Sequence, residues 1–473
     1  MTLGPLGRLG DWSARHGRPV AVAWVVLLLG LGALAPRAEH ALSGAGWEDS
    51  TSESVQAREL VQRDFAGNSG AALTVVVHSP DLTASDPAFR AAVADAEALL
   101  RADERVASVA GPRPGASISR DGHTALVVAG AAGSTTDMVR AADDLKGPIA
   151  DVGREGVTLS LTGSSGMWSD FNTANKEAML RSEIMSWPVT LGILVLAFGA
   201  LVAAGLPLLL TILGLVATAG SLFLVAQAFD VSIWAMNFAL MFALALGIDY
   251  ALFLVARFRA ALLGGRMSPC DAAAVTMDTA GKAVLFSGLT VLISLSAVML
   301  VPSPAFRSMA LGIMLAVVFV LAATLTLLPV VLARLGERVN RGALPWVHRG
   351  GHRSPRFARW AERLWRRPAG AGAAALVLLL LLAAPVLGLR TGMPSIAVVP
   401  PDDPSRVGYE RVQAAFGPGA PGTLQIVAPA ADAARARAVA AADPGIASVA
   451  PVQPGGGGLA MVQATPRDDP SDP

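Results

Sequence analysis

Seven long apolar segments lie along the chain and predict helices that cross a membrane. Each is close to the roughly 20 residues that a helix needs to span the hydrocarbon core of a bilayer. The predicted spans are residues 19–39, 184–204, 206–228, 234–256, 283–301, 309–333 and 369–389. The pattern therefore predicts a polytopic α-helical membrane protein, with a bundle of spans at 184–333 and polar domains outside the bilayer.

Residues 40–182 are polar, and their pattern predicts a folded α+β domain. Strands are predicted at residues 72–77, 106–109, 124–129 and 157–162, and amphipathic helices at 86–101 and 135–152. The order β-α-β-β-α-β is that of the ferredoxin-like fold. A further helix at 164–183 is expected to lead the chain back to the membrane.

The segment after the seventh span repeats part of this domain. Residues 422–451 parallel the first strand, helix and second strand, with IASVAP matching VASVAG, and residues 459–463 match the third strand. The second helix and the fourth strand have no counterpart. Residues 390–473 are therefore predicted to be a partial second domain with an open sheet edge and an exposed apolar face. We expect residues 403–473 to be poorly folded or completed by another chain.

Positive charge sets the expected orientation of the spans. Residues 1–18 carry three arginines, and residues 334–368 carry ten arginines against two glutamates. The positive-inside rule places both segments in the cytoplasm, and six spans between them is the even number that this requires. The 40–182 domain is then extracytoplasmic. The arginine-rich loop could also bind anionic lipid headgroups, which is a second interpretation beside that of a topology signal.

The first apolar segment has an alternative interpretation as a cleaved signal peptide. Ala33, Leu34 and Ala35 resemble a small-residue cleavage site. Pro36 follows directly and argues against cleavage, and the later spans favour an uncleaved anchor. We therefore expect a first helix that stays in the membrane with its N-terminus in the cytoplasm.

Composition supports the membrane assignment and excludes several function classes. The chain is 53% hydrophobic and 15% charged, with a net charge of +1, so neither a soluble enzyme nor a nucleic-acid partner is expected. Cys270 is the single cysteine, and no pair of the six histidines has metal-ligand spacing. Phosphate-binding glycine loops and nucleophile elbows are also absent from the sequence. We expect no enzyme activity, no cofactor, no metal site and no ATP-driven pump.

Asp249 lies in the middle of the fourth predicted span and is the strongest candidate for chemistry. A carboxylate at mid-membrane costs about 2.5–3.5 kcal/mol on insertion scales, so such residues face a protein interior or a water path and usually serve as proton or ion sites. Burial disfavours the charged form, which allows protonation to be coupled to a change in packing. The alternative is an aspartate that only hydrogen-bonds a neighbouring helix.

Four neighbours of Asp249 complete the candidate proton site. Gly247 is small and lets another helix approach closely. Tyr250 can donate a hydrogen bond to a carboxylate or bridge it to water, and the 100° step of a helix points it toward a neighbouring span rather than toward Asp249. Ser287 and Ser294 on the fifth span are candidate polar neighbours, although serine is also ordinary packing material in membrane helices.

Three motifs resemble those of one family of transporters. They are GIDYALFLVARFR at 247–259, the segment AGKAVLFSGLTVLISLSAVMLVPSPAFRSMALGIM at 280–314, and LTLLPVVLARLG at 325–336. Together they resemble the MMPL family of the resistance–nodulation–division (RND) superfamily, the "mycobacterial membrane protein, large" exporters. The resemblance extends over essentially the whole chain.

The resemblance implies a proton-driven exporter of lipids, drugs or other hydrophobic small molecules in the bacterial plasma membrane. It implies an RND-like bundle of twelve spans with porter domains, of which this chain has seven spans and one complete domain. It also assigns Asp249 and Tyr250 to the proton relay. The family's matching Asp-Tyr pair on a tenth span has no counterpart here, so the resemblance implies a C-terminally truncated chain, and one expectation is that it is inactive alone.

Other functions stay open at this point. One is a half-transporter that pairs with a second chain or with a copy of itself, as in the split bacterial Sec-accessory systems. Another is a membrane scaffold without transport activity, since sterol-sensing domains resemble the five-span bundle. A third is a prematurely terminated gene product with no activity. The expected partners are the lipid bilayer, protons, a lipid-like substrate and, in the first case, a second transporter chain or a homo-oligomer.

Overall fold

The computed structural model describes residues 3–44, 47–49, 51–154, 156–343, 355–389 and 395–471. Within these residues, seven helical segments are long and apolar enough to cross a membrane. They are Gly17–Ala38, Ser164–Phe198, Leu201–Ala226, Trp234–Gly264, Pro269–Val298, Pro304–Asn340 and Pro368–Gly388. The predicted fold class, a seven-span membrane protein with additional α+β structure, is confirmed. Part of the arginine-rich loop, including Arg349 and Arg353, lies outside the described residues.

Helices lie both before and after the first α+β domain. The helices before the domain are α1 (Pro5–Arg15), α2 (Gly17–Gly32) and α3 (Ala35–Ala41). Helices α4 (Glu53–Asp64), α5 (Pro87–Ala102) and α6 (Thr135–Asp151) belong to the domain itself. Those after it are α7 (Ser164–Phe198), α8 (Leu201–Ala226), α9 (Trp234–Arg259), α10 (Pro269–Thr276), α11 (Lys282–Val298), α12 (Pro304–Ala322), α13 (Leu328–Leu335), α14 (Pro355–Arg366) and α15 (Pro368–Ala383).

The first α+β domain has the predicted β-α-β-β-α-β order. Its elements are α4 (Glu53–Asp64), β1 (Leu73–His78), α5 (Pro87–Ala102), β2 (Val106–Ala110), β3 (Thr124–Ala131), α6 (Thr135–Asp151) and β4 (Thr158–Thr162). The strands form an antiparallel sheet in the order β2-β3-β1-β4, with Val75 opposite both Val127 and Leu161. Helices α5 and α6 bury their apolar side chains against one face of this sheet, as the two-residue alternation of the strands requires.

The second span differs from its predicted bounds. Helix α7 runs without a break from the α+β domain into the predicted membrane region and ends at Phe198 rather than at residue 204. Gly199 causes this end because it adopts a left-handed conformation, with φ of 67°, which terminates a helix. Pro188 and Pro207 lie inside α7 and α8.

Helices α8, α9 and α12 form the centre of the bundle, where α9 packs against both of the others. Small residues occupy the contact, since Ala235, Ala239 and Ala243 of α9 are all fully buried. Near the end of the sixth span a π-helical turn at Ala323–Leu327 comes just before Pro329. Proline removes a backbone N–H, and a widened turn is one way in which a helix accommodates that loss.

Residues 395–471 form a second α+β domain that repeats part of the first. Its elements are α16 (Pro404–Phe416), β5 (Leu424–Pro429), α17 (Ala433–Ala442), β6 (Ile446–Val449), β7 (Gln453–Pro454) and β8 (Leu459–Pro466). The main strands pair in the order β5-β8-β6, and β5 is an edge strand within the described residues. The first alternative, that this segment is poorly folded, was therefore wrong, and its completion by another chain stays a prediction. The predicted open edge and exposed apolar face, with Val439 67% exposed, are present.

The two domains are held together by an exchange of their first helices. Helix α16 of the second domain lies on the first sheet, where Thr162 Oγ1 donates a hydrogen bond to the carbonyl oxygen of Ser405 at 2.7 Å. Helix α4 of the first domain lies on the second sheet, where Val61 and Phe65 pack against Met461. These contacts explain the wrong expectation, because the second sheet buries one apolar face against α4.

We expect Phe65→Ala to loosen the second sheet. Phe65 is 9% exposed, and truncating a core phenylalanine costs about 3–5 kcal/mol. Hydrogen exchange in β5 and β8 should accelerate, while exchange in β1 and β3 should stay unchanged. Val439→Ala, at an exposed position of the same domain, is the control and should leave exchange unaltered. Unchanged protection of β8 in Phe65→Ala would contradict the exchange of helices.

Candidate functional site

Asp249 lies on the outer side of the described bundle. It is in the middle of α9, and two arginines, Arg257 and Arg259, lie in the last turn of the same helix. Its side chain is exposed, and no described residue forms a hydrogen bond or ion pair with it. Ala245, Phe253 and Ala256 are exposed on the same stripe of the helix. In a bilayer, an ionised carboxylate on this stripe must be shielded from the lipid by water, by polar groups or by other protein.

Tyr250 points in another direction, into the bundle. It is 3% exposed and belongs to the main apolar core of the spans. No hydrogen bond of its hydroxyl group, Oη, meets ordinary geometric limits within the described residues. Ser287 of α11 is close enough to interact with this hydroxyl group. The two adjacent side chains therefore face different surroundings, in agreement with the 100° step of the helix.

At Gly247, α9 lies close to α8. A Cβ atom at this position would overlap the Thr211 hydroxyl oxygen of α8. Thr211 Oγ1 itself donates a hydrogen bond to the Pro207 carbonyl oxygen at 3.0 Å and lies 3.4 Å from that of Ala243. The glycine therefore fixes the distance of α9 from α8 two residues before Asp249.

The two serines of α11 are arranged differently from one another. Ser287 and Ser294 are both exposed and are seven residues apart, about 10 Å along a helix. Ser287 lies beside Tyr250, but no described hydrogen bond joins Ser294 to Asp249 or Tyr250. The structure thus brings together Tyr250 and Ser287 and leaves Asp249 and Ser294 without a direct connection.

A charged cluster between the two α+β domains was not predicted. Lys146 Nζ of α6 lies 2.8 Å from Asp143 Oδ1 and 3.2 Å from Asp170 Oδ1. Asp170 is at the start of α7, and its other oxygen accepts a hydrogen bond of 2.9 Å from the backbone N–H of Ser405 in α16. Asp170 therefore connects the first domain, the long helix α7 and the second domain. These residues are far apart in sequence, so only the docking of α16 reveals the cluster.

The pKa values of Lys146 and Asp403 in this cluster are raised for different reasons. Burial lowers the pKa of Lys146, but the carboxylates of Asp143 and Asp170 outweigh it, so that the pKa is raised above its ordinary value. Burial and the neighbouring Asp170 carboxylate raise the pKa of Asp403, at the start of α16. The lysine therefore stays charged, and Asp403 loses its proton less readily than an ordinary aspartate.

A cavity of about 320 Å³ lies between the first sheet and α16. Apolar side chains and hydroxyl groups line it, including Leu126, Val128, Val412, Thr74, Thr162 and Tyr409. Tyr409 Oη donates a hydrogen bond to Asp469 Oδ1 at 2.6 Å. The cavity can therefore accept an apolar group of moderate size together with a few hydrogen-bonding atoms.

Comparisons with known proteins place this site in context. The family model described as "MMPL family" matches residues 46–371. Membrane protein YdfJ of Bacillus subtilis is 29% identical over 98% of this chain and 64% of its own length. The "Mycolic acid-containing lipids exporter MmpL11" of Mycolicibacterium smegmatis is 30% identical, over 89% and 45% of the two chains.

A third relative is "Putative membrane protein SCO6666" of Streptomyces coelicolor. It is 34% identical over 78% of this chain and 52% of its own length. Across these three relatives, this chain spans about half to two thirds of their length.

Gly247→Ala is predicted to destabilise the bundle by about 1–3 kcal/mol, because overpacking forces α8 and α9 apart. Intrinsic tryptophan fluorescence during heating in detergent should show a lower Tm. Adding Thr211→Ala removes the hydroxyl group that the new methyl group meets and should restore part of the loss. Gly192→Ala, with no atom near its Cβ position, is the control. If both alanine variants lose the same Tm, the close approach at Gly247 is refuted.

Proposed function

The chain belongs to the MMPL family, and from this premise we propose that it takes part in proton-driven export of lipids or other hydrophobic molecules. The observation that carries the proposal is Asp249, a mid-span carboxylate with no partner among the described residues. A group in this position is stable in the membrane when it is protonated, hydrated or covered by protein. Alternation between these states couples proton movement to helix packing.

The proposed mechanism assigns separate roles to the neighbouring residues. Asp249 takes up a proton when its site is open to one side of the membrane and releases it to the other side. Tyr250, which is buried in the bundle, and Ser287, which is exposed beside it on α11, form the polar path next to it. Gly247 keeps α9 close to α8, so a shift of α9 on protonation is transmitted to its neighbour. One proton that moves down 100 mV releases about 2.3 kcal/mol, enough to bias such a two-state shift.

The proposed substrate class is lipid-like. The relative from M. smegmatis carries the name of an exporter of mycolic acid-containing lipids, and another relative is named a probable trehalose monomycolate exporter. The cavity under α16, with its apolar lining and hydroxyl groups, suits part of an amphiphilic molecule. We place the α+β domains outside the bacterial plasma membrane and the N-terminus in the cytoplasm, because arginines flank the first span and follow the sixth.

A second proposal concerns assembly. The exposed stripe of Ala245, Asp249, Phe253 and Ala256 on α9 combines small residues with the bare carboxylate, and small residues are typical of helix–helix contacts in membranes. We propose that another bundle covers this stripe, supplied by a second copy of the chain or by a partner chain. A membrane scaffold without transport activity would not require the carboxylate at all.

Asp249→Asn should abolish transport without loss of insertion, because asparagine cannot take up and release the proton. Proteoliposomes with a trapped pH-sensitive dye and a fluorescent phospholipid would report proton entry and lipid movement together. Both signals should fall to the level of protein-free vesicles. Asp230→Asn, at an exposed aspartate just before α9, is the matched control and should keep both. Retained proton entry in Asp249→Asn would exclude the relay.

Ala245→Cys should cross-link two copies of the chain if the exposed stripe is a self-interface. Cys270→Ser first removes the native thiol, and mild oxidation in membranes should then yield a disulfide-linked dimer on gels. Ile193→Cys on α7, 60% exposed on another side of the bundle, controls for random collision. A dimer that forms equally from both variants, or from neither, argues against a second copy on this stripe.

A further inference from the structure

Helix α14 is an amphipathic helix directly before the seventh candidate span. Its described arginines are Arg359, Arg363 and Arg366, and Arg367 follows it, against the single acidic residue Glu362. We propose that α14 lies on the membrane surface and binds the headgroups of anionic lipids, with its arginines toward the headgroups and its aromatic face in the acyl boundary. This role is independent of the proposed proton relay.

The arrangement of the side chains around α14 separates charge from apolar surface. At 100° per residue, Trp360, Ala361, Leu364 and Trp365 share one side of the helix, and the arginines share the other. Trp365 is 86% exposed and Trp360 57% exposed within the described residues. Tryptophan is enriched at the boundary between headgroups and acyl chains, where an apolar ring and a polar N–H are both accommodated.

The polar side of α14 carries more positive charge than its one acidic residue can neutralise. Arg366 forms an ion pair of 2.6 Å with Glu362 one turn earlier. Arg363 and Arg367 are exposed, and no other acidic residue lies on α14 to balance them. A surface with this excess of arginine complements the negative potential of a leaflet that contains anionic lipids.

The position of α14 in the chain places it at the bilayer surface. The backbone leaves the helical region at Arg367, with φ of −137° and ψ of 60°, and Pro368 begins α15. The span Pro368–Gly388 starts at this proline. Because the last turn of α14 is joined to the first residue of a span, its apolar side is within reach of the lipid. In the described part of the chain α14 packs mainly against α15, and Trp365 on its apolar side is exposed.

The test measures how deeply α14 lies in bilayers of different charge. In the full chain carrying Cys270→Ser, a spin label is attached through Ala361→Cys on the apolar side or Arg363→Cys on the polar side. The protein is reconstituted in nanodiscs of pure phosphatidylcholine or of phosphatidylcholine with phosphatidylglycerol. Accessibility to oxygen and to a water-soluble nickel reagent then reports the depth of each label.

In nanodiscs with phosphatidylglycerol, the label at 361 should be accessible to oxygen and shielded from nickel, and the label at 363 should show the opposite. Removal of phosphatidylglycerol, or high salt, should raise nickel access at 361 at least about twofold, because the attraction is electrostatic. In the 361-labelled chain, the triple variant Arg363→Gln, Arg366→Gln and Arg367→Gln should behave in phosphatidylglycerol as the parent does without it.

The matched control is Arg90→Gln, Arg113→Gln and Arg120→Gln, which removes three exposed charges from the first α+β domain and should leave the depth at 361 unchanged. Gel filtration confirms that each variant remains monodisperse. Two results would overturn the proposal. One is a label at 361 that is open to nickel in every bilayer. The other is a depth that does not depend on phosphatidylglycerol or on the three arginines, as expected of a helix whose charges only set topology.

Discussion

The rest of the structure depends on one constraint, the cost of a carboxylate in the hydrocarbon layer. Asp249 stands in the middle of a helix that is apolar on all sides, and its face is exposed within the described bundle. An uncompensated charge there costs about 2.5–3.5 kcal/mol on insertion scales. Protonation, hydration or cover by another bundle removes that cost, and each of these is a change that a transporter can use.

Helix α7 is one of the connections between the membrane bundle and the two α+β domains. α7 begins beside the Lys146 cluster, where Asp170 holds the backbone of Ser405, and its other end packs against α8. α8 in turn meets α9 at Gly247. A movement of α9 therefore has a continuous packed route to the junction of the two α+β domains and to the cavity under α16. These contacts form a physical path, and the coupling of proton uptake at Asp249 to the two domains along it is part of the proposed function.

The sequence was sufficient for features that depend on local pattern. The seven spans, the β-α-β-β-α-β order and the open edge at β5 follow from periodicity and from the internal repeat. Features that depend on tertiary packing could not be predicted from the sequence. The end of α7 depends on the left-handed backbone conformation of one residue, Gly199. The burial of Phe65 depends on the exchange of α4 and α16 between the two sheets. The sequence also did not predict that Asp249 faces outward, because α9 is apolar on all sides and its pattern does not indicate which face is buried in the bundle.

Infrared difference spectroscopy of the purified chain in lipid nanodiscs after a pH change tests whether Asp249 exchanges a proton. We expect a band of a protonated carboxyl group that appears on acidification in the native chain and is missing from Asp249→Asn. The band should also shift in deuterated water. Identical difference spectra of the two proteins would show that Asp249 does not exchange a proton, and would contradict its role as the proton site.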